Sequence, residues 1–262
     1  MKITLIGAGN VGVHLGKRLH KKKIQIHQVF SRTLSNAKAL GVQVNANYTN
    51  QLEAIDGRAD IYILAIKDDI IGRVGAQLAQ NKTLKKKLIV HTSGAVASTM
   101  LKSYFKRFGV FYPLQTFSKS KKVDFKNIPI CVDASKKKDM ERLLELANQI
   151  SKKVYIISDK ERAILHVTAV IVNNFSNHLF HIASDICEKE QVDFQILQAL
   201  IEETVLKIQT QSPYQMQTGP ARRGDKATIE KHLLFLQKYP KYAVLYAGLS
   251  DSIRQLYNRT EK

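Results

Sequence analysis

Gly7-Ala8-Gly9-Asn10-Val11-Gly12 follows the apolar run Ile3-Thr4-Leu5-Ile6 directly and leads into an amphipathic stretch. Gly-x-Gly-x-x-Gly in the order strand, tight turn, helix is a cradle for the phosphates of a dinucleotide. Gly7 suits the turn out of the strand, Gly9 lets a pyrophosphate approach the backbone, and Gly12 lets the helix lie close on the sheet. The amides and dipole of the helix N-terminus then face the phosphates. About twenty residues past the third glycine, NAD-binding chains carry Asp or Glu for the ribose 2′-hydroxyl. Here the strand ending at Phe30 runs into Ser31-Arg32-Thr33, with no carboxylate. A guanidinium is a planar, multi-donor cation suited to phosphate. The expected cofactor is NADP, with Arg32 on the 2′-phosphate and Ser31 and Thr33 as hydroxyl donors. A solvated Arg32 and a helix-capping Thr33 are the ordinary alternatives.

Other candidates cluster at strand ends. Ala65-Ile66 is small enough at its first residue to admit the cofactor ribose and nicotinamide, and Asp68 or Asp69 just beyond is expected to cap a helix. Thr92 and Ser93, in His91-Thr92-Ser93-Gly94-Ala95, offer hydroxyls to cofactor or substrate, unless Ser93 only caps a helix reaching Lys106. Tyr112 and Gln115 lie in Tyr112-Pro-Leu-Gln-Thr-Phe117 and could hydrogen-bond a substrate; Tyr112 could also be a half-buried packing residue. A long apolar helix over Glu161 to Cys187 carries a polar row of His166, Asn173, Asn174, Asn177, His181 and Asp185. That row is either a cleft wall or an internal hydrogen-bond network. His178, His181 and Asp185 match no established ligand spacing, so no metal is expected. Arg222 and Arg223, in the Gly- and Pro-rich stretch Thr218 to Asp225, suit a carboxylate or phosphate, while Asp225 can cap the next helix.

These residues need a scaffold. Strand candidates are Ile3 to Ile6, Gln25 to Phe30, Val42 to Val44, Ile61 to Ile66, Leu88 to His91, Val110 to Tyr112, Ile128 to Val132 and Val154 to Ile157, with helical stretches between several of them. The alternation predicts an α/β fold of the Rossmann type, a doubly wound and mainly parallel sheet, over residues 1–157. Residues 158–262 hold only helical patterns and predict an all-helical C-terminal domain. The chain of 262 residues has ordinary hydrophobic content, no apolar run of spanning length and no leader pattern. Its two cysteines, Cys131 and Cys187, fit a reducing cytoplasm. The net charge of +19 lies in scattered lysine runs without interleaved aromatics, so an anionic small molecule is expected rather than nucleic acid or a membrane.

Together the glycine motif, His91 to Ala95, Tyr112 to Phe117, His166 to Phe175 and Thr218 to Asp225 resemble a family of two-domain NADP oxidoreductases, in which a Rossmann domain precedes a helical domain of unassigned function. More distant relatives are pyrroline-5-carboxylate reductases, 6-phosphogluconate and β-hydroxyacid dehydrogenases, and deazaflavin-dependent NADP reductases. The resemblance implies a homodimer built through the helical domain, with the site between the domains. The hydroxyacid dehydrogenases carry Lys-x-x-x-Asn on the first long helix of their second domain. Matching that asparagine to Asn174 places Val170 at the lysine. His166, one turn earlier, is the substitute, since histidine suits acid–base work near neutral pH. The expectation is hydride transfer between NADP and a small anionic carbonyl or imine compound, with His166, Asn173, Asn174 and Ser93 as catalytic candidates. The alternative is a non-catalytic NADP-binding sensor or assembly protein.

Overall fold

The computed structural model describes residues 1–118 and 121–258. The chain divides into two compact units, Met1–Val170 and Ile171–Lys262.

Four helices of the first unit repeat one pattern of burial. α1 (Asn10–Lys21) buries Gly12, Leu15, Gly16 and Leu19. α2 (Leu34–Gln43) buries Ala37, Leu40 and Gly41, with Val44 just past its end. α3 (Ile71–Leu78) buries Ile71, Val74, Gly75 and Leu78, and α4 (Lys137–Ile150) buries Leu143, Leu146, Ala147 and Ile150. This i, i+3, i+4, i+7 spacing gives each helix one apolar stripe. The third place is always Gly or Ala, which brings the helix close to its neighbour. A Cβ on Gly16 would stand 2.8 Å from Leu5 Cδ1, and one on Gly41 would stand 2.9 Å from Tyr48 Cβ.

The stripes cover an eight-stranded sheet of β1 (Lys2–Ile6), β2 (Gln25–Phe30), β3 (Asn47–Thr49), β4 (Ile61–Leu64), β5 (Leu88–His91), β6 (Phe108–Pro113), β7 (Ile130–Ala134) and β8 (Val154–Ile156). The order is β3-β2-β1-β4-β5-β6-β7-β8, and every pair is parallel except β6 with β7. Alternate residues feed opposite faces: Ile61 and Ile63 join the core under α1 and α4, while Tyr62 and Leu64 join the core under α3. Strand order reverses between β1 and β4, the switch point where such sheets take ligands at the strands' carboxyl ends.

Three local expectations are corrected. Val42 to Val44 is not a strand: Leu40, Gly41 and Val44 are buried at helical spacing, and Asn45 (φ +52°) ends the turn before β3. No helix runs from Ser93 to Lys106. Ser93 Oγ accepts the amides of Ala95 (3.1 Å) and Val96 (3.0 Å), a local turn that competes with helix, and only a 3₁₀ turn forms at Ser98–Leu101. Neither Asp68 nor Asp69 caps a helix through its side chain; both lie inside a 3₁₀ turn, Asp68–Ile70, which Lys67 precedes.

The long helix is real but interrupted. α5 (Asp159–Ala169) starts with a capping box of Ser158 and Glu161. Val170–Phe175 is π-helical, and α6 (Ser176–Lys189) continues. The i→i+5 bonding of the π segment departs from the 3.6-residue period of the helices on either side of it. The helical unit goes on through α7 (Gln198–Thr210), α8 (Pro213–Met216), α9 (Pro220–Arg223), α10 (Lys226–Leu236) and α11 (Pro240–Asn258). Neither α6 nor α7 buries a residue.

Candidate functional site

The glycine turn is over-determined. Gly7 leaves β1 at φ +119°, and its amide donates to Phe30 O (2.8 Å) while the Ala65 amide donates to Ile6 O (2.8 Å). A Cβ on Gly7 would stand 2.1 Å from Ala65 O, and one on Gly12 would stand 2.0 Å from Gly7 O. Gly9 differs: a Cβ there would meet nothing within 4 Å. Strand, turn and helix crowd together at Gly7 and Gly12, and open space remains at Gly9, in front of the α1 N-terminus. No side chain caps that terminus and its first turn holds no acidic residue. Its amides therefore stay available to an anion.

That space belongs to a cleft of about 860 Å³. Of the sequence candidates, Gly7, Ala8, Gly9, Asn10, Val11, Ser31, Arg32, Thr33, Ala65, Ile66 and Thr92 all line it. Arg32 is exposed and makes no hydrogen bond or ion pair among the described residues. Thr33 occupies the N-cap position of α2 without a side-chain bond. The cleft also holds Lys67 and Arg73, one carboxylate, Glu53, and the amides Asn36, Asn50 and Gln77. Sequence reasoning passed these over. Arg73 was detectable, because it stands between the stripe residues Ile71 and Val74 and so points off the buried face of α3. An open Gly9, uncapped amides and a cationic wall fit the phosphates of a dinucleotide.

Gly12 is packed behind the cleft, and Ser93 is buried with its oxygen accepting two amides. A second gathering lies one residue further, at Gly94. A Cβ there would stand 2.6 Å from His166 Nδ1 and 2.8 Å from the Tyr112 hydroxyl. The Tyr112 and His166 rings lie 6.5 Å apart, edge to face. His166 Nδ1 is buried without a hydrogen-bond partner among the described residues. Burial pushes the Tyr112 phenol up to about 12, so it keeps its proton. Burial and then the Arg162 charge push His91 down to about 4, leaving it neutral, with Nδ1 accepting the Ser93 amide (3.2 Å). The sequence reading did not single out Arg162, which is fully buried one turn before His166. Its one sequence signal is a cation placed just after a capping box, at the helix end whose dipole disfavours it.

Each remaining candidate has local surroundings of its own. Gln115 is exposed and accepts the Thr116 amide through Oε1 (2.8 Å). In the helical unit, Asn173 and Asn174 sit exposed in the π segment, with Asn173 Nδ2 donating to Asn174 Oδ1 (3.3 Å). Arg222 is committed to its own loop: Nη1 donates to Gln217 O (2.6 Å), and its guanidinium lies 4.7 Å over the Tyr257 ring. Arg223 is exposed. Asp225 caps α10 through Thr228. Asp185 is taken by Lys189 and Tyr242, and no group of three metal-ligand side chains occurs among the described residues.

Two family models match. Residues 2–94 match the NADP oxidoreductase, coenzyme F420-dependent, family, and residues 128–253 match a domain of unknown function, DUF2520. The solved structure of a "putative NADP oxidoreductase", BF3122 from Bacteroides fragilis, is 37% identical over 97% of this chain and 98% of that one, with a TM-score of 0.91. The chain belongs to this family of two-domain NADP oxidoreductases. Protein TM1727 of Thermotoga maritima shares the fold at 19% identity and TM-score 0.73, covering 99% of this chain and 100% of that one. An imine reductase of Myxococcus stipitatus in complex with NADP+ shares it at 12% identity and TM-score 0.67, covering 99% and 93%. Comparison with curated proteins returned no match. The protein is thus an NADP-dependent oxidoreductase. No helix among its described residues is long and apolar enough to cross a membrane.

Proposed function

We propose that this oxidoreductase transfers hydride between NADP and a small anionic carbonyl or imine compound, with His166 as the proton donor or acceptor. The observation that carries the reading is the meeting of His166 Nδ1 and the Tyr112 hydroxyl over Gly94, two residues along the chain from Thr92 in the cleft wall. Bound NADPH supplies the hydride. The α1 amides and Arg32 hold its phosphates, and Ala65, Ile66 and Thr92 flank its nicotinamide end. His166 Nδ1, without a hydrogen-bond partner among the described residues, gives a proton to the carbonyl oxygen or imine nitrogen in this reading. The protonated Tyr112 hydroxyl orients that atom. Ser93 retains a donatable proton at the same end, and Asn173, Asn174 and Gln115 are secondary contacts. The substrate's anionic group goes to Arg223, because Arg222 is already bonded within its loop. An imine substrate draws support from the fold shared with the Myxococcus imine reductase.

The same reading includes a homodimer working in the cytoplasm. Its support is the apolar surface of the helical unit, where Val172, Ile196, Leu200, Leu206 and Val244 are all more than half exposed. The test of the reaction is NADPH consumption across a panel of 2-oxo acids and cyclic imines. His166→Ala should lower turnover by about 10²- to 10⁴-fold. Unchanged turnover on an accepted substrate would remove His166 from the mechanism.

A further inference from the structure

The largest fully buried side chain among the described residues is a cation, Arg162, 1% exposed. It stands in the first turns of α5. Its Nη2 donates to Val96 O (2.6 Å) and to Asp159 Oδ1 (2.7 Å). The Asp159 carboxylate also accepts the Ser98 amide (2.9 Å) and the Ser98 hydroxyl (3.1 Å). These bonds fasten the start of α5 to the loop leaving β5. That loop begins at Thr92 in the cleft wall and is tightened locally by His91 accepting the Ser93 amide and by Ser93 Oγ accepting the amides of Ala95 and Val96. One turn beyond Arg162, on the same side of the helix, comes His166.

Stability alone does not account for a guanidinium here. Nε and Nη1 of Arg162 have no hydrogen-bond partner among the described residues. A buried ion pair of this kind is often no better than apolar packing. The cation also lies at the positive end of the α5 dipole. What it does achieve is geometric: one planar group joins two segments of main chain and holds a carboxylate that grips a third point.

We infer that Arg162 and Asp159 are positioning residues that set the nicotinamide end of the cofactor cleft and the seat of His166 over Gly94. This rests on the cofactor reading above. Loosening the clamp frees the Thr92–Ser98 loop and the first turns of α5, while the glycine turn and Arg32 stay in place.

The test uses two ligands. NADPH spans the whole cleft, and 2′,5′-ADP carries the adenosine half with its 2′-phosphate but no nicotinamide. Affinities are measured in wild type, in Arg162→Lys, in Asp159→Asn, and in a double variant Arg162→Met with Asp159→Asn that leaves no lone buried charge; thermal melts confirm folding. The double variant should bind NADPH about tenfold more weakly. Its affinity for 2′,5′-ADP should stay within about twofold of wild type. Arg162→Lys, which keeps one donor and the charge, should recover part of the loss. Equal weakening toward both ligands, or no weakening toward NADPH, would overturn the clamp. A wild-type protein that binds neither ligand would overturn the cofactor reading itself, and the clamp with it.

Discussion

The two units use the same kinds of apolar side chain to opposite ends. Of the buried apolar residues, all but Ala221 and Leu236 belong to Met1–Val170. There, a two-faced sheet gives α1 through α4 a surface to cover, and each of the four buries a full stripe. In Ile171–Lys262, α6 and α7 bury nothing, while Phe175, Val205 and Ile208 are exposed. Polar pairs link parts of the helical unit: Glu190 with Lys238 and Tyr239, and Asp185 with Lys189 and Tyr242. Exposed pairs of this kind are screened by water and contribute little to stability. An apolar pattern therefore marks a helix that can be covered; it does not say that its own fold covers it.

The contrast can be broken most forcefully inside the first unit. Gly12→Val forces a branched side chain where a Cβ would already stand 2.0 Å from Gly7 O. It should unfold the turn and abolish NADPH binding. Gly9→Val adds the same volume to open space. It should leave the melting temperature within a few degrees of wild type while also abolishing binding. Ile63→Ala, in a fully buried strand, should lower unfolding free energy by about 2–5 kcal/mol in urea titrations.

Acid acts next, and also on the sheet unit. His91 is ordinarily half-protonated near pH 6.5 but in the fold only near 4. The native state thus binds fewer protons than the unfolded chain, and stability present above pH 6.5 is lost as the pH falls toward 4. The loss reaches about 3 kcal/mol. His91→Asn should remove that part of the acid slope in urea midpoints measured from pH 7 to 4. The smallest effect belongs to the helical unit. Leu200→Gln, at a position 63% exposed, should change the unfolding free energy by less than about 0.5 kcal/mol at low protein concentration. It should nevertheless weaken self-association in sedimentation equilibrium. A core-sized loss in the monomer would mean that the chain covers this surface itself.

What could be read beforehand follows the same division. The glycine turn, the parallel strands around it and the basic residues after β2 depend on short-range rules, and the cleft assembles from those very segments. The edge strand β3 was missed because Asn47–Thr49 carries no apolar run. After β5 the sequence leaves a helix capped by Ser93 open as an alternative, because serine suits a cap; its oxygen instead closes a turn. The expected division at 157 follows the last strand, whereas the compact unit runs on to Val170, since Arg162 and Asp159 tie α5 to that loop. Arg162 leaves only the faint signal of a cation after a capping box, because Val96, whose carbonyl it bonds, lies 66 residues away and Ser98 is reached only through Asp159.

The central claim is that the cleft at the sheet's switch point reads a 2′-phosphate through Arg32. Dissociation constants of NADPH and NADH, measured side by side in wild type and Arg32→Ala, test it most directly. The account predicts tighter binding of NADPH by wild type, and about a tenfold or greater loss for NADPH alone in the variant. Equal affinity of wild type for the two cofactors, or a variant that weakens both alike, would contradict it.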